Sequence, residues 1–256
     1  MLLFFLFSSA LFSHENIPTN SWIYESVEIL QTLGYFSNLD QGNKPWARLD
    51  IASELVKIYD NEISSQSVTI ELDRIRNEFQ SEMASLTKSE KFVENQDILR
   101  FYAGLSDDYN SSIRNYLALR LSGALRIAEN FTFKYGIYGD QRFMDDPYYL
   151  GYEWRGLQGY QEQMYINWNS NHVGLKLGRD YIKWGYGHTG NLLISDNSRP
   201  FDQLSIKIRS RYISFQAFIA QLDKMYNSNR YLNASRFEIR LPKNLFIGLG
   251  QSSLYG

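Results

Sequence analysis

From Arg114 onwards, apolar and polar residues alternate with a period of two: Leu117, Leu119, Leu121, Leu125 and Ile127 are interleaved with Tyr116, Ala118, Arg120, Ser122, Ala124 and Arg126. That period sends successive side chains to opposite faces of a strand, and no amphipathic helix produces it. Seven further runs follow, near 131–139, 160–168, 172–180, 204–211, 212–221, 231–241 and 245–251. Their spacers alternate in length. Tight turns are expected at 129–130, 170–171, 210–211 and 242–244, and longer loops at 140–159, 181–203 and 222–230. Short turns on one rim and long loops on the other are the mark of an outer-membrane barrel. A soluble sandwich or barrel shares the alternation but not this regular inequality of connections.

The first third of the chain has a different period. Ile23, Val27, Leu30 and Leu33 fall near one face of a helix stopped at Gly34; Ile51, Leu55 and Ile58 share a face of a second; Leu72, Ile75, Phe79, Met83 and Leu86 mark a third. Such a bundle is too small to be stable alone and is expected to lean on a neighbour. Residues 88–112 read as the connection to the strands. Residues 2–12 form an apolar block, too short for a transmembrane helix and suited to the core of a signal peptide. The expected organisation is therefore a signal peptide at 1–13, a periplasmic helical region at 14–100, and the N-terminal part of an outer-membrane barrel at 101–256. The fold class is mainly β, an antiparallel transmembrane β-barrel preceded by a small helical bundle.

Charge divides the chain at the same place. Residues 14–100 carry 15 acidic and 8 basic side chains, and residues 101–256 carry 13 acidic and 18 basic. If the apolar parity of each strand faces lipid, the other parity contributes Arg114, Arg120, Arg126, Lys134, Lys176, Lys207, Arg209, Arg211, Arg236 and Arg240, against Glu238 alone. A lipid-facing cation costs about 2 to 4 kcal/mol at the midplane, which is reason enough for this segregation. A basic lumen that attracts an anionic solute or polymer is the functional reading of the same pattern. Eight strands close only a narrow barrel with a filled interior. So many long cations would crowd it, so the chain is expected to be a C-terminally truncated part of a larger barrel.

The 19 tyrosines and 16 phenylalanines, with a mean hydropathy of only -0.38, fit apolar content dispersed by alternation. With no cysteine, disulfides, thiol nucleophiles and Cys-ligated metals are excluded.

Between the fourth and fifth runs lies a glycine-dense segment: Leu177-Gly178-Arg179-Asp180-Tyr181-Ile182-Lys183-Trp184-Gly185-Tyr186-Gly187, continued by Gly190-Asn191-Leu192-Leu193-Ile194-Ser195-Asp196-Asn197-Ser198-Arg199-Pro200-Phe201. It closely resembles the Wzi-like capsule assembly family, with its GR strand end, WGPG-type turn and G-x-L-x-x-S-x-N-x-x-P continuation. Tyr186 stands where that family usually has proline. The N-terminal stretch Leu30-Gln31-Thr32-Leu33-Gly34, followed by Pro45 to Leu55, is similar to the family's periplasmic helical region. The resemblance implies a larger monomeric outer-membrane barrel acting as a lectin for capsular polysaccharide, with membrane lipids as its other partners.

On that reading Trp184, Tyr186 and His188 are platforms for sugar faces, Arg179, Lys183 and Arg199 meet uronate or phosphate groups, and Asn191, Asp196 and Asn197 bond hydroxyls. The alternative is that the loop folds inward as a plug, its glycines permitting tight turns. A porin bearing an S-layer-homology-like module, on Gly34, Pro45 and Arg48 to Ala52, is the competing function. Neither His188, Ser195 and Asp196 nor the carboxylates Glu153, Asp180 and Asp196 form a recognisable catalytic motif, so no enzyme is expected. No cofactor, metal or nucleic-acid partner is indicated, the three histidines being scattered.

Overall fold

The computed structural model describes residues 15–59, 65–87, 100–108, 114–128, 130–145, 152–154, 157–170, 172–187, 190–195, 199–210, 212–225, 228–241 and 245–256. The export segment expected at 1–13 lies outside them. Helix α1 (Trp22–Thr32) begins where the Ser21 hydroxyl accepts from the Ile23 amide, and buries Ile23, Val27 and Leu30. Leu33, expected on that face, is the exposed C-cap residue, and the chain turns at Gly34 with φ of +92°. A short strand β1 (Asn43–Lys44) and helix α2 (Arg48–Leu55) follow.

The third expected helix is two. Helix α3 (Gln66–Glu78) and helix α4 (Gln80–Thr87) break at Phe79, whose φ and ψ of -106° and 18° leave the helical range. Phe79 is fully buried beneath the Arg48 guanidinium, 4.4 Å from its ring centroid. Apolar periodicity runs straight through this break, which is why the sequence pattern does not show it.

The rest is an antiparallel sheet. Its strands are β2 (Arg100–Asp108), β3 (Arg114–Ala128), β4 (Phe131–Asp140), β5 (Tyr152–Trp154), β6 (Leu157–Asn169), β7 (Val173–Asp180), β9 (Phe201–Arg209), β10 (Ile213–Met225), β11 (Ser228–Leu241) and β12 (Leu245–Tyr255). A two-residue strand β8 (Lys183–Trp184) lies between β7 and β9 and pairs elsewhere. Order across the sheet follows the chain from β2 to β12, with β5 attached to β6. Among the described residues β2 and β12 each pair on one side only, so the sheet is open.

All eight alternating runs are strands, and two readings need correction. Residues 100–108 of the expected connection form β2, paired with β3 from Arg100↔Ser122 to Asp108↔Arg114. The loop expected at 222–230 is mostly strand, with β10 and β11 continuing through Leu222↔Arg230 to Met225↔Ser228.

One face of the sheet is an exposed apolar belt. Leu125↔Phe133↔Ile166↔Leu177↔Leu204↔Ile219 makes one rung across it, and Val173↔Ile208↔Phe215↔Phe237↔Leu249 another. Phe131 and Trp168 face each other on this side beside the short turns, where an interfacial aromatic girdle belongs.

The inner face receives the helical region. Glu15, 1% exposed, is held between Lys134 of β4 at 2.7 Å and Arg48 of α2 at 3.5 Å. Arg48 also pairs with Glu78 and Glu82. Burial alone would lower its pKa, but the three carboxylates outweigh burial and raise it. Asn16 donates through its side chain to Asp180 at 2.8 Å and through its backbone to the Tyr165 hydroxyl at 2.7 Å. Asp50 of α2 meets Arg209 of β9 with two bonds of 3.0 and 3.1 Å.

The inner face is thus not the strongly basic lumen expected from parity. Arg120 is paired with Glu162, Lys134 with Glu15, Lys176 with Asp180, Arg209 with Asp50 and Arg236 with Glu238. Glu162 escapes a simple parity count because it is the extra residue of a β-bulge: Gly136 opposes Gln163 while Ile137 opposes Gln161. Arg126 is half-exposed and donates to the Ala128 carbonyl. Arg240 stacks on Phe246, 5.0 Å from its centroid. Arg211 and the Arg114 side chain lie outside the described residues.

Replacing Glu15 by alanine leaves two buried cations facing one another, and is expected to cost about 3 to 5 kcal/mol. Denaturant unfolding of the variant checks this; wild-type stability would show that the clamp carries no weight.

Candidate functional site

The connection between β7 and β9 folds onto the inner face of the sheet. Strand β8 pairs with β1 of the helical region through Asn43↔Trp184 and Lys44↔Lys183, extended by a bond of 3.0 Å from the Gly185 amide to the Gly42 carbonyl. Trp184 is 2% exposed. Its ring meets Phe218 edge-on at 5.2 Å, and its Nε1 donates to Gln216 at 2.9 Å. Ile182, Ile194, Ala220 and Ala234 complete a second hydrophobic core, built between loop and sheet. The turn needs its glycine: Gly185 has φ of +134°, and a Cβ there would strike the Asn191 carboxamide, which also accepts from the Gly187 amide.

Beyond the turn the loop is less covered. The Tyr186 hydroxyl donates to Glu238 at 3.1 Å, and Arg236 lies 5.8 Å from its ring centroid. Burial, reinforced by the Glu238 carboxylate, raises the Tyr186 pKa, so the hydroxyl remains a donor. Half of this side chain's surface is nevertheless open.

A second constellation lies where β4, β6 and β7 approach the long loops. Arg120 grips Glu162 with two bonds of 2.8 Å, and Tyr181 donates to the same carboxylate at 2.8 Å. Burial and then Glu162 drive the Tyr181 pKa far upward, keeping it protonated. Tyr138, Phe143 and Tyr160 form a mutually tilted aromatic group with centroids 5.6 to 6.1 Å apart. Arg142, in a short helical turn at Gln141–Asp145, wraps Asp140 and stays partly exposed. Its pKa is raised, by the hydrogen bond to Asp140 first. Arg199 is exposed and within electrostatic reach of Tyr160. Aromatic faces bordered by fixed Arg and carboxylate groups suit a hydroxylated, charged ligand.

The residues singled out in the sequence separate accordingly. Trp184 and Lys183 are buried in the loop's seam with β1, so neither is an open platform or an open cation here. Arg179 is paired across strands with Asp202, and Asn191 braces the turn. Tyr186 and Arg199 remain accessible. His188, Asp196 and Asn197 lie outside the described residues. Sequence reasoning missed Tyr138, Asp140, Arg142, Phe143, Tyr160 and Glu162. Their only signal was aromatic density around the 140–159 loop, and nothing local brings 138, 160 and 181 together. Among the described residues no group of three or more His, Asp or Glu side chains is placed to hold a metal ion.

Comparison with known proteins agrees with this architecture. A family model described as "Capsule assembly protein Wzi" matches residues 80–256, more than half of the chain. Among solved structures, Wzi of Escherichia coli, described as an outer-membrane protein involved in group 1 capsule assembly and a carbohydrate-binding β-barrel, superposes with a TM-score of 0.61 at 15% identity, covering 94% of this chain. The chain spans 54% of that protein's length. No curated protein sequence matches it.

Truncating Trp184 to alanine removes the centre of the loop's core and strands the Gln216 carboxamide. It is expected to cost about 3 to 5 kcal/mol and to expose the loop to protease. Unchanged cleavage kinetics and stability would show that the loop is not anchored by this ring.

Proposed function

Because this chain belongs to the Wzi capsule assembly family, we propose that it works as an outer-membrane β-barrel protein that binds capsular polysaccharide at the cell surface. The observation that carries the reading is the division of the sheet into two faces. One is a continuous apolar belt fit for lipid; the other is filled by the chain's own helices and inward loop. A barrel wall packed in this way holds a ligand at its rims better than it passes one through. The likeness to the E. coli protein speaks for the fold, and binding has to be argued from the site.

Helix α2 meets the short-turn ends of the strands at Arg209, which supports reading the helical region as periplasmic and the long loops as external. The polymer-binding surface is then the aromatic group of Tyr138, Phe143 and Tyr160 with Arg142 and Arg199, joined by Tyr186 of the inward loop. Exposed guanidinium groups beside aromatic rings favour an acidic polysaccharide, since Arg pairs with carboxylates in a fixed fork and stacks on rings. No catalytic step is needed for this task.

Two measurements test the proposal. In planar bilayers the protein is expected to show little conductance; sustained large currents would establish a transport pore instead. Cells carrying Arg142→Gln together with Arg199→Gln are expected to retain acidic polymer roughly ten-fold less well, a loss of about 1.4 kcal/mol, with the deficit shrinking as salt rises. Retention equal to the parent's would remove this rim from the binding surface.

A further inference from the structure

A half-open cleft lies at the opposite rim, between the helical region and the short-turn ends of β6, β7 and β9. It measures about 480 Å³, within the range of small-molecule sites. Asn167, Ser205 and Gln216 reach it from the sheet, and Ser53 and Asp50 from α2. Three cations line it: Lys176, Lys207 and Arg209.

Two of these are committed. Lys176 is paired with Asp180, and Arg209 with Asp50. Lys207 forms no hydrogen bond or ion pair among the described residues, and the charges that act on it are those of Arg209, Asp50, Asp40 and Lys176. Its neighbour across the β7/β9 pair is Gly174, whose missing side chain leaves room for the Asn169 carboxamide beside it. On the other side lies Gln216. The cavity therefore carries one surplus positive charge, with amides and hydroxyls on the sheet side and apolar side chains such as Leu49, Leu86 and Leu175 completing its walls.

We propose that this cleft binds an anionic sugar unit, its carboxylate or phosphate on Lys207 and its hydroxyls on the Asn167, Ser205 and Gln216 side chains. The saccharide class rests on the function proposed above; the anionic group follows from the cleft's own charge. An ammonium group acts as a point charge and accepts either oxyanion, whereas the forked guanidinium of Arg209 is held by Asp50. The site lies on the periplasmic side of the proposed barrel, away from Arg142 and Arg199. It would take a sugar unit approaching between the short turns and the helices.

Calorimetric titration of the full chain with glucuronate, glucose 6-phosphate, inorganic phosphate and glucose tests this. Both anionic sugars are expected to bind at least ten-fold more tightly than glucose, Lys207→Gln to lose that margin, and Lys207→Arg to keep most of it. Equal binding of glucose and glucuronate by the wild type, or full binding by Lys207→Gln, would overturn the site. Inorganic phosphate matching glucose 6-phosphate would overturn the sugar assignment. The wild-type comparison decides the matter even if the Lys207 variants fail to fold. Polymer retention through Arg142 and Arg199 is read separately, so failure of one site does not mimic failure of the other.

Discussion

A cation on a membrane strand has to turn away from lipid, and once it turns inward against a packed helical region it is costly to leave it without a partner. Both halves of that constraint meet at Glu15, which lies between Lys134 of the sheet and Arg48 of the helices. The neighbouring Asn16 reaches Asp180 and Tyr165, so two consecutive residues tie three strands to the bundle. Asp50 repeats the arrangement at Arg209. The acidic excess of the first third and the basic excess of the remainder thus compensate one another across an interface. With the bundle docked in this way, β1 stands where the loop after β7 can pair with it, and the inner face of the sheet is covered by the chain's own helices and loop.

Sealing the inner face from both directions bears on function. The loop's invasion buries Trp184 and Lys183, residues whose type alone marks them for ligand contact, and leaves Tyr186 and Arg199 at the surface. On the proposed function, ligand contact is then displaced to the rims. On the long-loop side aromatic rings and guanidinium groups converge from β4, its following turn, β6 and the loop; on the short-turn side a cleft retains the unpaired Lys207. The two rims differ in chemistry: one is aromatic and bordered by exposed guanidinium groups, the other a half-open cleft of mixed amide and apolar lining.

The eight alternating strands, the apolar belt and the long connection between β7 and β9 were legible because each depends on residues within one run or one connection. The glycine-dense loop was legible as a plug or a binding surface, and the plug is what Gly185 and Trp184 build. The break at Phe79 was not, since an apolar residue satisfies both a continuing helix and a buried corner. Nor was Glu162, because a bulge shifts parity by one without any local composition marking it. The 222–230 segment was misread for the opposite reason. Its polar residues resemble a loop, yet backbone pairing from Leu222↔Arg230 to Met225↔Ser228 continues the hairpin regardless of what the side chains prefer.

The amino-acid sequence by itself therefore determined the eight alternating strands and which side of each is apolar, since these follow from backbone periodicity and the cost of exposing the wrong face. Only the tertiary structure decided what the inner face is. Whether Lys134, Arg209 and Arg236 make a basic lumen or a set of closed ion pairs depends on carboxylates brought from the distant Glu15 and Asp50 and from neighbouring Glu238. Charge separation along a chain has no energy until folding sets the distance and the surrounding dielectric.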